Sequence, residues 1–237
     1  GLTSDRVITK AIDIVANENS FHPILEYLES LKWDGIPRIQ YMLTHFFGAE
    51  DIDYTGEVMK MHMMGAIRRL YEPGAKYDIM LCLVGGQGTG KSTFFRYLAI
   101  KDEWFTDDMK RIDDKKVYEY LQGHWIVEMS EMNAVANAKS IEETKSFLSR
   151  QKDIYRIPYE RRAEDRYRQC VFCGTSNDLN FLPFDRTGNR RFAPVRSKGR
   201  KFKKQKPPYM KMKQNPEHTL SRHGQRQWKS IEAEIIR

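Results

Sequence analysis

The sequence predicts an α/β fold: a mostly parallel sheet with helices on both faces, preceded by a small helical segment. Three observations carry this reading. Ile79-Met80-Leu81-Cys82-Leu83-Val84 is a short continuous apolar run, as in a strand buried on both faces. The glycine-rich stretch Gly85-Gly86-Gln87-Gly88-Thr89-Gly90 breaks it, and Lys91 to Ala99 has helix-forming character. Trp125-Ile126-Val127 and Cys170-Val171-Phe172-Cys173 are two further strand candidates, separated by a helix. Strands that alternate with helices imply a parallel sheet.

The elements follow in order. Residues 1 to about 75 read as helical. Ile24, Leu25, Leu28 and Leu31 form one stripe, ended by Trp33-Asp34-Gly35 and Pro37. Met59, Met63, Ala66, Ile67 and Leu70 form a second, stopped by Pro73-Gly74. Such stripes serve as helix-packing core more often than as partner surfaces. Ser140 with Glu143 is a capping box, so the helix between the later strands is expected to begin at Ser140 and to bury Phe147 and Leu148. From Ser197 the composition turns to Lys, Gln and Pro, as in a linker or disordered arm. The expected organisation is a helical segment over 1–75, a nucleotide-binding core over 76–197 and a basic, flexible tail over 198–237.

At 237 residues and 28.0 kDa the chain is long enough for one packed core and a smaller neighbour. Hydrophobic residues are 40% and charged residues 30%, and no apolar run approaches the roughly 20 residues needed to cross a bilayer. Three cysteines argue against a disulfide scaffold and fit a reducing cytoplasm. Membrane, collagen-like and secreted mini-protein classes are excluded. The chain opens with Gly1, as expected of a fragment. Its formal charge of +8 is uneven: residues 197–237 hold 12 Lys/Arg against 3 Asp/Glu, a net of +9, which leaves residues 1–196 at −1. The tail therefore suggests a polyanionic partner.

Gly85 to Ser92 matches G-x-x-x-x-G-K-[ST], in the required place between a strand and a helix. Glycines let backbone N–H groups encircle phosphate oxygens, and the helix start adds its dipole. Gly85, Gly86, Gln87, Gly88, Thr89, Gly90, Lys91, Ser92 and Thr93 are the candidate ATP-binding residues. Lys91 is suited to the β- and γ-phosphates and Ser92 to Mg²⁺. Such a site needs an acid on a neighbouring strand. Glu128 and Glu131 are the candidates, and they point to opposite faces of a strand because three is an odd step. Glu131 is favoured for water activation and Glu128 as a second metal ligand; the alternative for Glu128 is a salt-bridged wall residue. Asn177 ends the Cys170–Ser176 strand and could set an amide beside the γ-phosphate. Cys170 and Cys173 have metal half-site spacing, but on a strand they face opposite sides and no second pair follows. Arg190 and Arg191 suit a charge clamp on the transferred phosphoryl group, or the anchoring of a loop or of a carboxylate such as Asp185.

Between Arg150 and Arg168 lie seven cations, Arg150, Lys152, Arg156, Arg161, Arg162, Arg166 and Arg168, against four acids, with Tyr155, Tyr159 and Tyr167 interleaved. The alternation around Tyr155–Ile157 and Pro158–Glu160 suggests a hairpin. Cations with aromatics suit single-stranded nucleic acid, and a solvated charged hairpin is the plain alternative.

Together these segments resemble the virulence-associated protein E family, related to superfamily 3 helicases and to the helicase half of poxvirus-type primase–helicases. The matching stretches are Leu28 to Arg38, Gly85 to Ser92, Trp125 to Met132, Lys145 to Ser149 with Asp153 to Tyr159, Gly174 to Asn177, and Thr187 to Phe192. They span about 28–196, with no match expected beyond Arg196. The resemblance implies an AAA+-like ATPase core in bacterial or phage-encoded DNA replication, assembled as a homo-oligomeric ring such as a hexamer. It implies Lys91 and Ser92 as the Walker A pair, Glu131 or Glu128 as the Walker B acid and Asn177 as the sensor. Arg190 or Arg191 would be a finger reaching a neighbouring subunit. Lys145 to Arg168 would be the DNA-contacting region. Competing readings are a P-loop kinase for a small-molecule acceptor and a non-enzymatic nucleotide-binding, DNA-binding module.

Overall fold

The computed structural model describes residues 5–109, 112, 117–130, 138–155, 164–178 and 189–197. Helices α1 (Asp5–Glu18), α2 (Pro23–Glu29) and α3 (Asp53–Tyr71) precede a five-stranded sheet. The sheet comprises β1 (Met80–Val84), β2 (Phe105–Thr106), β3 (Ile126–Met129), a strand over Val171–Ser176, and the edge strand Phe192–Arg196. A separate antiparallel hairpin joins β4 (Lys152–Tyr155) to β5 (Glu164–Tyr167), so Val171–Ser176 is β6 and Phe192–Arg196 is β7. Helices α4 (Lys91–Leu98), α5 (Val117–Leu121) and α6 (Ala138–Leu148) complete the set.

The sheet order is β2-β3-β6-β1-β7, and every pairing is parallel. All carboxyl ends of the strands therefore lie along one edge of the sheet, where ligands bind in open α/β folds. Side-chain alternation divides the core between the two faces. Leu81, Leu83, Ile126, Val171, Cys173, Ala193 and Val195 pack with α2, α3 and α4, while Met80, Cys82, Val84, Val127, Met129, Phe172 and Phe192 pack with Val117 of α5 and Ile141, Phe147 and Leu148 of α6. Cys170 and Cys173 fall in different halves of this core, and both are buried.

The α3 stripe read from the sequence, Met59, Met63, Ala66, Ile67 and Leu70, is buried throughout. It shares its core with α2 and the sheet, so α2 and α3 form a layer on the sheet. Trp125 Nε1 donates to Ala66 O at 3.0 Å, and the buried Arg69 donates to the carbonyls of Ala75, Tyr77 and Cys170 at 3.0, 2.6 and 2.8 Å. These bonds lock α3 to the sheet. In the Trp33–Arg38 turn, Asp34 accepts a forked pair from Arg38 at 2.8 and 2.7 Å and caps Ile36 N.

One expectation needs correction. Helix α6 begins at Ala138, so Ser140 and Glu143 lie inside its first turns and do not form the cap. The expected hairpin is present, with described strands over Lys152–Tyr155 and Glu164–Tyr167; Arg156 to Glu160, part of the stretch that suggested it, lie outside the described residues. The basic tail over 198–237 lies outside the described residues. Among the described residues no helix is long and apolar enough to cross a membrane.

Candidate functional site

The turn from β1 into α4 is built by its glycines. Gly88 and Gly90 have φ of +77° and +83°, a left-handed conformation that side chains rarely adopt, and Gly90 caps the helix. A Cβ at Gly85 would lie 3.1 Å from Thr89 Oγ1 and 3.3 Å from Ser197 Cβ, so this position has almost no room for a side chain. The loop ends on the N-terminus of α4, whose first residues are Lys91, Ser92 and Thr93.

Three strand ends converge on this loop. From β6, Asn177 Oδ1 accepts from Lys91 Nζ at 2.9 Å; the same ammonium donates to the carbonyls of Gly85 and Gly86 at 2.7 and 3.0 Å. From β3, Glu128 Oε1 accepts from Ser92 Oγ and from Thr175 Oγ1, both at 2.8 Å. Glu128 is fully buried, and its Oε2 has no hydrogen-bond partner among the described residues. Burial raises the Glu128 carboxyl above its ordinary pKa. The bonds from Ser92 and Thr175 oppose the shift, and Asp107 beyond β2 adds to it. Burial lowers the Lys91 ammonium, and Glu128 opposes that shift. An orphaned carboxylate oxygen beside a serine hydroxyl, at the base of a glycine-rich turn, has the donor chemistry for a small hard cation next to a phosphate chain.

The third strand end is β7. Arg196 pairs in register with Val84, and with Gly85, Gly86 and Asn177 it lines a cavity of about 400 Å³. Sequence reasoning misses both Arg196 and Asp107. Asp107 follows a strand of only two residues, too short for a periodic signal. Arg196 looks from the sequence like no more than the boundary of the basic tail. Thr175 lies within a matched stretch, but nothing in spacing shows that it holds Glu128.

Other candidates lie elsewhere. Glu131 is outside the described residues. Arg190 and Arg191 precede β7, so they sit at the sheet edge opposite the glycine loop of their own chain. Arg191 Nε donates to Asp78 Oδ2 at 3.1 Å, so this arginine anchors a carboxylate, one of its two alternative roles; Asp185 is outside the described residues. Arg190 is exposed.

The eight candidate nucleic-acid residues separate into three groups. Arg156, Arg161 and Arg162 lie outside the described residues. Arg150, Lys152 and Arg166 are solvent-accessible; Lys152 pairs with Asp165 at 2.5 Å and Arg166 with Glu164 at 2.9 Å. Such exposed pairs are screened by solvent, contribute little and exchange readily. Lys145 and Arg168 are corrected. Both are buried, so neither is presented to a ligand. Lys145 pairs with Glu142 at 3.0 Å. Arg168 grips Asp153 with two bonds of 2.5 and 2.8 Å, donates to Phe147 O at 2.6 Å and stacks 4.3 Å over the Phe147 ring.

Solved structures of the NrS-1 C-terminal region share the fold. Two A-form apo structures align with TM-scores of 0.54 and 0.52 at 17% and 18% identity, and a further apo structure of residues 305–718 aligns at 0.51 and 20%. Each alignment covers 88% of this chain, and the chain spans only 46–47% of those chains. No curated protein matches the chain. The model of the virulence-associated protein E-like domain matches residues 28–219, beyond the expected limit at Arg196 and into the basic segment. That match covers most of the sequence, and the chain belongs to the virulence-associated protein E-like domain family.

Proposed function

We propose that this chain is a DNA-dependent ATPase of the replicative helicase type, which couples ATP hydrolysis to binding or unwinding of single-stranded DNA in phage or mobile-element replication. The observation that carries the proposal is the pair of bonds across the glycine loop, Lys91 to Asn177 at 2.9 Å and Ser92 to Glu128 at 2.8 Å. Four groups of a phosphate-transfer site, drawn from three separate segments, are within contact of one another.

In this reading Gly85 to Thr93 hold the phosphates of ATP through backbone N–H groups and the α4 dipole. Ser92 Oγ and the orphaned Glu128 Oε2 would hold Mg²⁺, which would supply positive charge against the phosphate chain. Lys91 leaves its carbonyl contacts for the phosphates. Asn177, released from Lys91, can report the state of the terminal phosphate to β6. Glu131 is the candidate for orienting the attacking water. Arg190 acts only on a neighbour, because its own loop is at the far edge of the sheet, which supports a ring of like subunits. The hairpin β4–β5 supplies the DNA contact through Arg150, Lys152 and Arg166 and through Arg156, Arg161 and Arg162.

The deciding experiment is phosphate release with and without single-stranded DNA, with Lys91→Ala as control. The expected result is turnover that rises with DNA and is abolished in the variant. Turnover unchanged in a folded Lys91→Ala protein would overturn the proposal.

A further inference from the structure

Beyond the cavity against the glycine loop lies a second one of about 780 Å³. Its walls are Glu50, Ile52, Tyr54 and Thr55 on one side and Pro194 and Val195 of β7 on the other. The two cavities share Arg196 and Ser197. They adjoin at these two residues, one cavity against Gly85 and the other against the start of α3.

The far wall is pinned in place. Ala49 bridges to Ser197 in antiparallel register, Ser197 Oγ donates to Phe47 O at 2.9 Å, and Tyr54 Oη donates to Pro194 O at 3.2 Å. Ile52 and Tyr54 nonetheless keep about half their surface open, at 49% and 46%. Arg196 makes no side-chain hydrogen bond or ion pair among the described residues, and it stands where the two cavities meet.

A phosphate chain held on the glycine loop can extend its sugar and base in few directions. Toward β3 the buried Glu128 and Thr175, bonded to each other, close the base of the site. Toward β7 it is open. We infer that the base and ribose of the nucleotide lie in this second cavity, with the base against Ile52 and Tyr54, and that Arg196 binds the phosphate chain at the junction. The inference rests on the nucleotide-binding reading above and adds which residues select the nucleoside. The chemistry suits the assignment. An apolar and an aromatic side chain provide a sequence-tolerant platform for a planar base. A fixed fork of guanidinium donors suits phosphate oxygens.

The test compares equilibrium binding of ATP and of inorganic triphosphate to the full chain. Replacing both Ile52 and Tyr54 by Ser should weaken ATP by about fivefold or more, the effect of unstacking one base, and leave triphosphate unchanged. Arg196→Ala should weaken both ligands. An azido-adenosine triphosphate photolabel on the unaltered protein should mark the peptide that contains Ile52 to Thr55 or the one that contains Arg196. ATP affinity unchanged in the folded double variant, or label confined to other peptides, overturns the inference alone. A wild-type protein that binds neither ligand overturns it together with the proposed function.

Discussion

Lys91 and Asn177, 86 positions apart in sequence, are joined by a hydrogen bond of 2.9 Å between the ammonium and the amide oxygen. The bond couples the glycine loop to the end of β6, and the ammonium is shared with two loop carbonyls. In the proposed ATPase, an arriving phosphate would compete with Asn177 and the two carbonyls for this ammonium. Lys91→Ala should lower turnover by about 10²-fold or more, as expected when a preorganised charge is removed. Asn177→Ala should lower kcat with little change in nucleotide affinity. If the two act as one unit, the double variant should be no worse than Lys91→Ala, with a coupling energy of about 0.5–3 kcal/mol in a double-mutant cycle. Strictly additive effects in steady-state kinetics would show that the contact has no part in turnover.

Glu128 supplies a prediction in which stability and activity move in opposite directions. Its folded pKa is raised by burial, so the folded chain holds the proton more tightly than the unfolded chain. That contribution is fully present below the ordinary carboxyl value of 4.5 and vanishes as pH rises through the raised folded value. Above that raised value the buried charge is a burden on the fold. Glu128→Gln keeps an acceptor for Ser92 and Thr175 and removes the charge. The variant should melt at a higher temperature than wild type at pH 7 to 8, with the gap closing as pH falls, while ATP turnover disappears. A lower melting temperature at neutral pH would contradict the assignment of burial as the dominant cause.

His62 sets a second pH dependence, away from the site. It is fully buried between the rings of Tyr77 and Phe95, and neither ring nitrogen has a hydrogen-bond partner among the described residues. Burial lowers its pKa from 6.5 to about 4. Between those values the unfolded chain binds the proton and the folded chain does not, so stability falls as pH falls through that window. The slope is at most about 1.4 kcal/mol per pH unit for one proton. His62→Phe, which preserves the ring contacts, should flatten the fall in urea midpoint between pH 6.5 and 4. An unchanged slope would place the acid sensitivity elsewhere.

The parallel sheet is legible in the sequence through β1, β3 and β6, which are buried along their length and carry short apolar runs, whereas the two-residue β2 and the half-exposed edge strand β7 give no such signal. The glycine loop is legible because phosphate binding by backbone fixes a spacing within one segment. Glu128, Lys91, Ser92 and Asn177 can be proposed singly for the same reason. Their pairings cannot, because contacts such as Thr175 to Glu128 depend on which strands become neighbours. Arg168 shows the converse failure. Composition registers a cation in a basic run, while its partner Asp153 stands across the hairpin stem and its ring contact comes from α6. Charge counted along the chain gives no sign that one member of a run points inward. The same limit hides Arg196, whose place beside Val84 follows from strand order alone.

That distinction within the basic run leads to a prediction about DNA. Arg168 and Asp153 are both nearly inaccessible, and the pair is held by two hydrogen bonds, so removing the arginine strands a buried carboxylate. Breaking such a pair costs about 3–5 kcal/mol. Arg168→Ala should therefore depress the melting temperature strongly and reduce ATP turnover and DNA binding together, in proportion to the folded fraction. Arg150 and Arg166 are solvent-accessible: Arg166 pairs with the exposed Glu164, and Arg150 stands 4.0 Å from Asp153, whose close bonds go to Arg168 instead. Arg150→Ala with Arg166→Ala should leave the melting temperature nearly unchanged and weaken single-stranded DNA binding. The salt dependence should flatten by roughly 0.7 in slope for each phosphate that the protein no longer neutralises. Calorimetry beside a salt titration of DNA binding separates the two outcomes. If the exposed pair of substitutions leaves the salt slope intact, the stem of the hairpin does not touch the phosphate backbone. A folded, fully stable Arg168→Ala protein with weakened DNA binding would return that arginine to the interface.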